Sequence, residues 1–225
     1  MSTAAYRYHH HQLSNERMDT RIEIMMTNIR ELYSNFVVKL QEGACSIGSK
    51  KRIEIMLEYV DIKPGDILLD VGGNTGKITE AYAKNCKEVV VLEPKHRIVE
   101  YGRSRRPHIK FMEGEVENIP LPSEHFDKIV ASASFHHFPN QDKGLEEMKR
   151  VLKPNGKMII IEIDPNTGRG KRLQICEDIL HTGAKLYEPT QLREKVEDHG
   201  LEVLYIKPTT LAYFLTAVKK VFKNK

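Results

Sequence analysis

Apolar positions along this chain fall into two rhythms, and their alternation predicts the elements. Between Arg17 and Gln41 they recur at helical spacing (Ile22, Met25, Ile29, Leu32, Phe36 and Leu40 among them) until Gly43 ends the run. A second helix is predicted over Lys50 to Tyr59, with Ile53, Met56, Leu57 and Val60 inward. Short runs then appear that are apolar on both faces: Asp66 to Val71, Glu88 to Glu93, Ile109 to Met112, Phe126 to Ala131 and Met158 to Ile163. Such runs suit parallel strands covered by helices. Helical spacing separates them, in Ile78, Ala81 and Tyr82, in Ile98 and Tyr101, and in Leu145, Met148, Val151 and Leu152, the last stopped by Lys153-Pro154-Asn155-Gly156. A helix with Leu192 and Val196 ends at Gly200, and Leu201 to Lys207 and Thr210 to Val218 read as two final strands. Strand and helix alternate, which predicts a doubly wound α/β sheet.

Size and charge narrow this little. At 225 residues and 25.9 kDa the chain suits one domain, or one domain with a small appendage. A formal charge of +4 gives no clear nucleic-acid signal. The clusters Lys50-Lys51-Arg52, Arg103 with Arg105-Arg106, and Arg169 with Lys171-Arg172 read as solvated surface. Cys45, Cys86 and Cys176 lie far apart, as free thiols in a reducing compartment would. No apolar run is as long as a membrane span and no signal peptide is seen, so a cytoplasmic protein is expected. His9-His10-His11 has no other ligand beside it and reads as tail, so no metal site is expected. The expected organisation is a disordered tail over 1–16, a helical cap or lid over 17–49, and the main domain over 50–225.

The chemistry concentrates where the first strand meets a helix, at Asp70-Val71-Gly72-Gly73-Asn74-Thr75-Gly76-Lys77. A glycine-rich turn there brings backbone N–H groups and the partial positive charge of a helix N-terminus to one spot. The spacing G-x-G-x-x-G fails, because its positions from Gly72 hold Asn74 and Lys77. A phosphate-binding P-loop fails too, with Val71 where its first glycine should be and Ile78 after Lys77. What fits is D-x-G-x-(G)-x-G, which resembles motif I of the class I S-adenosylmethionine (SAM)-dependent methyltransferases, in the variant found in quinone-biosynthesis C-methyltransferases. Asn74 replaces a glycine there; Asn tolerates left-handed backbone angles, so the turn is expected to survive.

Further motifs follow in order. Glu93 ends the second strand, 17 residues beyond Gly76, where an acid can accept from both hydroxyls of a ribose. Glu113-Gly114-Glu115-Val116 resembles the family's G-D-A-E segment. Phe126-Asp127-Lys128-Ile129-Val130, Phe135-His136-His137-Phe138 and Leu145 to Gly156 match its F-D-x-V-V, L-H-H and L-x-E-x-x-R-V-L-K-P-G-G. The resemblance covers about residues 50 to 165. It implies a Rossmann-like sheet of seven strands with helices on both faces, an antiparallel last strand and an N-terminal helical extension. It also implies a SAM site made by Asp70, Gly72, Gly73, Asn74, Thr75, Gly76, Glu93, Pro94, Glu115, Val116, Ala131 and Ser132. Asp70 would stand near the methionine ammonium and Glu115 near the adenine.

A sulfonium donor supplies its own electrophile, so few protein side chains are obligatory beyond those that orient the acceptor and exclude water. His136 and His137 are the candidate general bases. Tyr6, Tyr8 and Tyr33 are candidates to line the acceptor pocket. The expected acceptor is a small molecule, quinone-like or another aromatic or lipid precursor, handled by a monomer or homodimer. An RNA or protein methyltransferase, or a non-catalytic SAM-binding protein, stays open. The N-P-P-aromatic and Pro-Cys signatures of nucleic-acid enzymes are absent from the sequence.

Overall fold

The computed structural model describes residues 49–179, 183–209 and 212–220. The expected tail, the cap or lid helix and the three N-terminal tyrosines lie outside them. The chain runs from α1 (Ser49–Val60) into β1 (Ile67–Val71), then α2 (Lys77–Tyr82), β2 (Glu88–Glu93), α3 (His96–Arg105), β3 (Lys110–Glu113) and β4 (Phe126–Ser132). After these come α4 (Gln141–Val151), β5 (Leu152–Glu162), α5 (Gly168–Ile179), α6 (Pro189–Asp198), β6 (Glu202–Pro208) and β7 (Tyr213–Val218).

The strands form one sheet in the order β3-β2-β1-β4-β5-β7-β6. β1 to β5 pair in parallel, and β7 runs antiparallel to both β5 and β6. Side chains one apart on a strand point to opposite faces, and here they enter two separate cores. Leu69 and Val71 join Leu145, Met148, Leu192 and Val196, the inward faces of α4 and α6. Leu68 joins Met56 and Val60 of α1, Tyr82 of α2, and Phe214. Helices therefore cover both faces, as the doubly apolar strands predicted.

Two elements differ from the sequence reading. β5 starts at Leu152, not Met158: Leu152 pairs with Phe126, the register shifts, and Lys157 then pairs with Lys128. Lys153 to Gly156 bulge out between those contacts, with Asn155 at φ 60. The second is α5, which carries no apolar stripe. Ile175 and Ile179 are exposed, and the helix is pinned through Gly170, where an added Cβ would stand 2.0 Å from the Asp164 carbonyl oxygen.

Candidate active site

The sheet order reverses between β1 and β4, the place where open α/β sheets bind ligands at the carboxyl ends of their strands. Register fixes what stands there. Val71 lies level with Leu92, Glu93 with Glu113, and Asp70 with Val130. Asp70, Glu93 and the residues after Val130 therefore reach one edge together.

The turn after β1 passes through left-handed backbone three times, at Gly72 (φ 69), Asn74 (φ 55) and Gly76 (φ 75). Asn74 takes the angle expected of it and steadies the turn by accepting from the Thr75 N–H at 2.7 Å. The glycines are demanded by the protein itself. A Cβ on Gly72 would stand 2.6 Å from Ser134 Cβ, and one on Gly76 would stand 2.6 Å from Phe111 Cζ. Ser134 in turn donates to the Val71 carbonyl at 2.7 Å, tying the loop after β4 to the end of β1.

Asp70 is buried, and its Oδ2 accepts from Thr79 Oγ1 at 2.5 Å and Tyr82 OH at 2.8 Å. Those hydroxyls belong to α2, so the acid locks the helix that follows the turn. Glu93 is 5% exposed, and its Oε1 accepts from the Lys95 N–H at 3.3 Å. Burial pushes its pKa up; the backbone N–H groups of Lys95 and Asn74 and the Lys95 charge oppose this, and Glu115 adds to it. Asn74, Glu93 and Glu115 thus converge on one space. Pro94 and Glu115 are exposed, Gly73 and Ser132 are half-buried, and Thr75, Val116 and Ala131 are buried.

Arg106 was read from the sequence as surface charge and is instead 6% exposed. Its Nη1 donates to the Thr75 carbonyl at 3.0 Å and its Nε to Glu80 Oε2 at 3.1 Å. A cation at the end of a basic cluster gives no hint in one dimension that a turn 31 residues earlier lies under it.

The His pair occupies a short 3₁₀ turn, Phe135–His137. His136 is 4% exposed, and its Nδ1 lies 2.7 Å from Glu162 Oε2, while its N–H donates to Glu162 Oε1 at 3.3 Å. His137 is exposed, with its ring centroid 4.1 Å from that of His136. Partial desolvation and then the neighbouring His136 hold its pKa below the usual value, against the pull of Glu177 and Glu162.

Residues 69–160 match the family model described as a methyltransferase domain. A demethylmenaquinone methyltransferase of Paenarthrobacter aurescens is 34% identical over 118 residues, 52% of this chain and 47% of that one. A SAM-dependent methyltransferase from Aquifex aeolicus superposes with a TM-score of 0.62 at 21% identity, over 74% of this chain and 89% of that one. A Thermotoga maritima structure described as a possible histamine N-methyltransferase gives 0.65 at 19%, over 80% and 95%. The chain spans about half the length of the curated relatives it matches. Motifs and family model agree on a methyltransferase domain over residues 69–160, and the fold is that of the class I methyltransferases. The cofactor of that class is SAM, and the groups present fit it: backbone N–H groups in the turn, a buried acid at the end of β2 and an exposed acid after β3.

Proposed function

We propose that this protein transfers a methyl group from SAM to a small-molecule acceptor. The observation that carries the reading is the convergence of Asn74, Glu93 and Glu115 on the edge where the sheet order reverses. Bound there, SAM supplies an activated methyl group. Glu93 holds the ribose hydroxyls and Glu115 accepts from the adenine amino group. Gly72, Gly73, Asn74, Thr75 and Gly76 wrap the methionine end, with Asp70 beneath them setting the pitch of α2. Pro94, Val116, Ala131 and Ser132 complete the walls.

The acceptor stands beyond β4, against His137, the exposed member of the pair. His136 faces Glu162 and shapes the turn. The named relatives act on demethylmenaquinone and in ubiquinone and menaquinone biosynthesis, which supports an aromatic, quinol-like acceptor. Among the described residues no helix is long and apolar enough to cross a membrane.

The test has two arms. Calorimetry with SAM, S-adenosylhomocysteine and NAD should give heat with the first two only. Labelled SAM with a cell extract should then yield a labelled small molecule. NAD heat without SAM heat would overturn the cofactor assignment, and label appearing only in RNA or protein would overturn the acceptor class.

A further inference from the structure

Two segments bring three metal-binding side chains together on the acceptor side. One ring nitrogen each of His136 and His137 and a carboxylate oxygen of Glu177 lie within 4.8 Å of one another. The two histidines come from the turn after β4, and Glu177 comes from α5. From these positions we infer that His136, His137 and Glu177 form a binding site for a divalent transition-metal ion such as Zn²⁺ or Fe²⁺.

The chemistry of the donors selects that class of ion. Two imidazoles and one carboxylate suit zinc, iron or cobalt, whereas calcium and magnesium prefer oxygen alone. Three protein ligands also leave coordination positions open to a substrate or water. The supporting carboxylate is already in place. His136 is 4% exposed and Glu162 1% exposed, and Glu162 Oε2 holds the His136 Nδ1 at 2.7 Å. That contact fixes the tautomer and leaves Nε2 as the liganding nitrogen, the carboxylate–histidine arrangement that second shells of metal sites use. A buried pair serving packing alone has no need of a second imidazole and a second carboxylate beside it.

The remaining distances are within reach. Ligands around a tetrahedral ion with bonds of about 2.0–2.2 Å stand roughly 3.3–3.5 Å apart. His137 is exposed and Glu177 half-buried, so rotation of these two side chains can close the gap while His136 stays fixed. The local charge is mixed. Glu162 and Glu177 favour a cation near His137, and Lys95 opposes it. Resting on the methyl-transfer reading, the open positions of the ion would take an oxygen of the acceptor and hold it toward the methyl donor.

The experiment uses the full chain with His9, His10 and His11 replaced by Ala, so that added metal captured by adjacent histidines in the tail does not enter the count. After chelator treatment, Zn²⁺ and Co²⁺ are titrated by calorimetry, and the melting temperature is followed with and without each ion. One ion per chain is expected, with a higher melting temperature in its presence. His137→Ala and Glu177→Gln should each weaken binding about tenfold or more, and Glu162→Gln about 10–100-fold. SAM heats measured on the same samples report the cofactor site separately, so loss of SAM binding would sink the methyltransferase reading and leave the metal result standing. Less than one ion per chain in the parent, or equal affinity in His137→Ala, Glu177→Gln and parent, would overturn the site.

Discussion

Arg106 reaches back 31 residues to donate to the carbonyl of Thr75 at 3.0 Å, so the cofactor turn is gripped from behind by a side chain on another element. Arg106→Met keeps most of the stem and removes the donors. It should cost about 1–3 kcal/mol of stability and weaken SAM binding about tenfold. Arg106→Lys should restore little of either, because a single ammonium cannot make the two-pronged contact to Thr75 and Glu80. Denaturant midpoints and SAM titrations decide it. Unchanged values in Arg106→Met would mean that the turn keeps its shape unaided.

Glu93 should trade stability against affinity. Burial raises its folded-state pKa above the unfolded value, so its ionised form costs stability at every pH above the folded pKa. That cost fades as pH falls through the folded pKa toward the unfolded one. Glu93→Gln should therefore melt higher than wild type at neutral pH, with the gap closing on acidification. The same change should weaken SAM binding about tenfold, since one of the two acceptor oxygens becomes an NH2 that cannot accept and one ribose hydroxyl loses its partner. A variant that melts lower at neutral pH would show the ionised acid to be a net support of the fold.

Gly76 carries two demands at once, a φ of 75 and a distance of 2.6 Å to Phe111 Cζ for any added Cβ. Gly76→Ala should cost about 1–3 kcal/mol and reduce SAM affinity at least tenfold. In Gly76→Ala with Phe111→Leu the packing share should be relieved and the backbone share should remain. Asn74→Gly, by contrast, should leave affinity within a few-fold, since glycine adopts the same angle while forgoing the bond to the Thr75 N–H. If the double variant is no better than Gly76→Ala alone, the packing argument fails.

Ala133 sits at φ 52 directly before the His turn, an angle that costs a non-glycine residue about 1–2 kcal/mol. Ala133→Gly should relieve part of this, raising stability by up to about 1 kcal/mol once the freer unfolded chain is counted. Thermal unfolding checks the sign. A destabilised variant would indicate that the Ala133 methyl makes packing contacts worth more than the strain.

The strands were legible because parallel strands must be apolar on both faces, and runs such as Glu88 to Glu93 have few other uses. The turn was legible in spacing, down to the backbone angle of Asn74. What escaped was tertiary. Arg106 shares its composition with any surface cluster, and α5 shows no stripe because its grip on the domain is a missing side chain, at Gly170. The partnership of His136 with Glu162 spans 26 residues and two strand ends, and only the sheet brings it into being. The glycines were found for half a reason: Ser134 and Phe111 exclude side chains there, whatever ligand lies on the other side.

The placement of β7 also sets a timetable for synthesis. It follows β6 in the chain but lies between β5 and β6 in space. While the polypeptide is still emerging, the flank of β5 from Met158 to Ile161 has no neighbour on that side, and β6 has nothing to pair with. Both wait for Tyr213–Val218. A nascent chain stalled at residue 209 would present an unpaired, isoleucine-rich edge, the kind of surface that recruits other strands. Chaperone demand should therefore stay high until Tyr213–Val218 emerges, and termination within the β6–β7 hairpin should be met by aggregation rather than by a partly working domain.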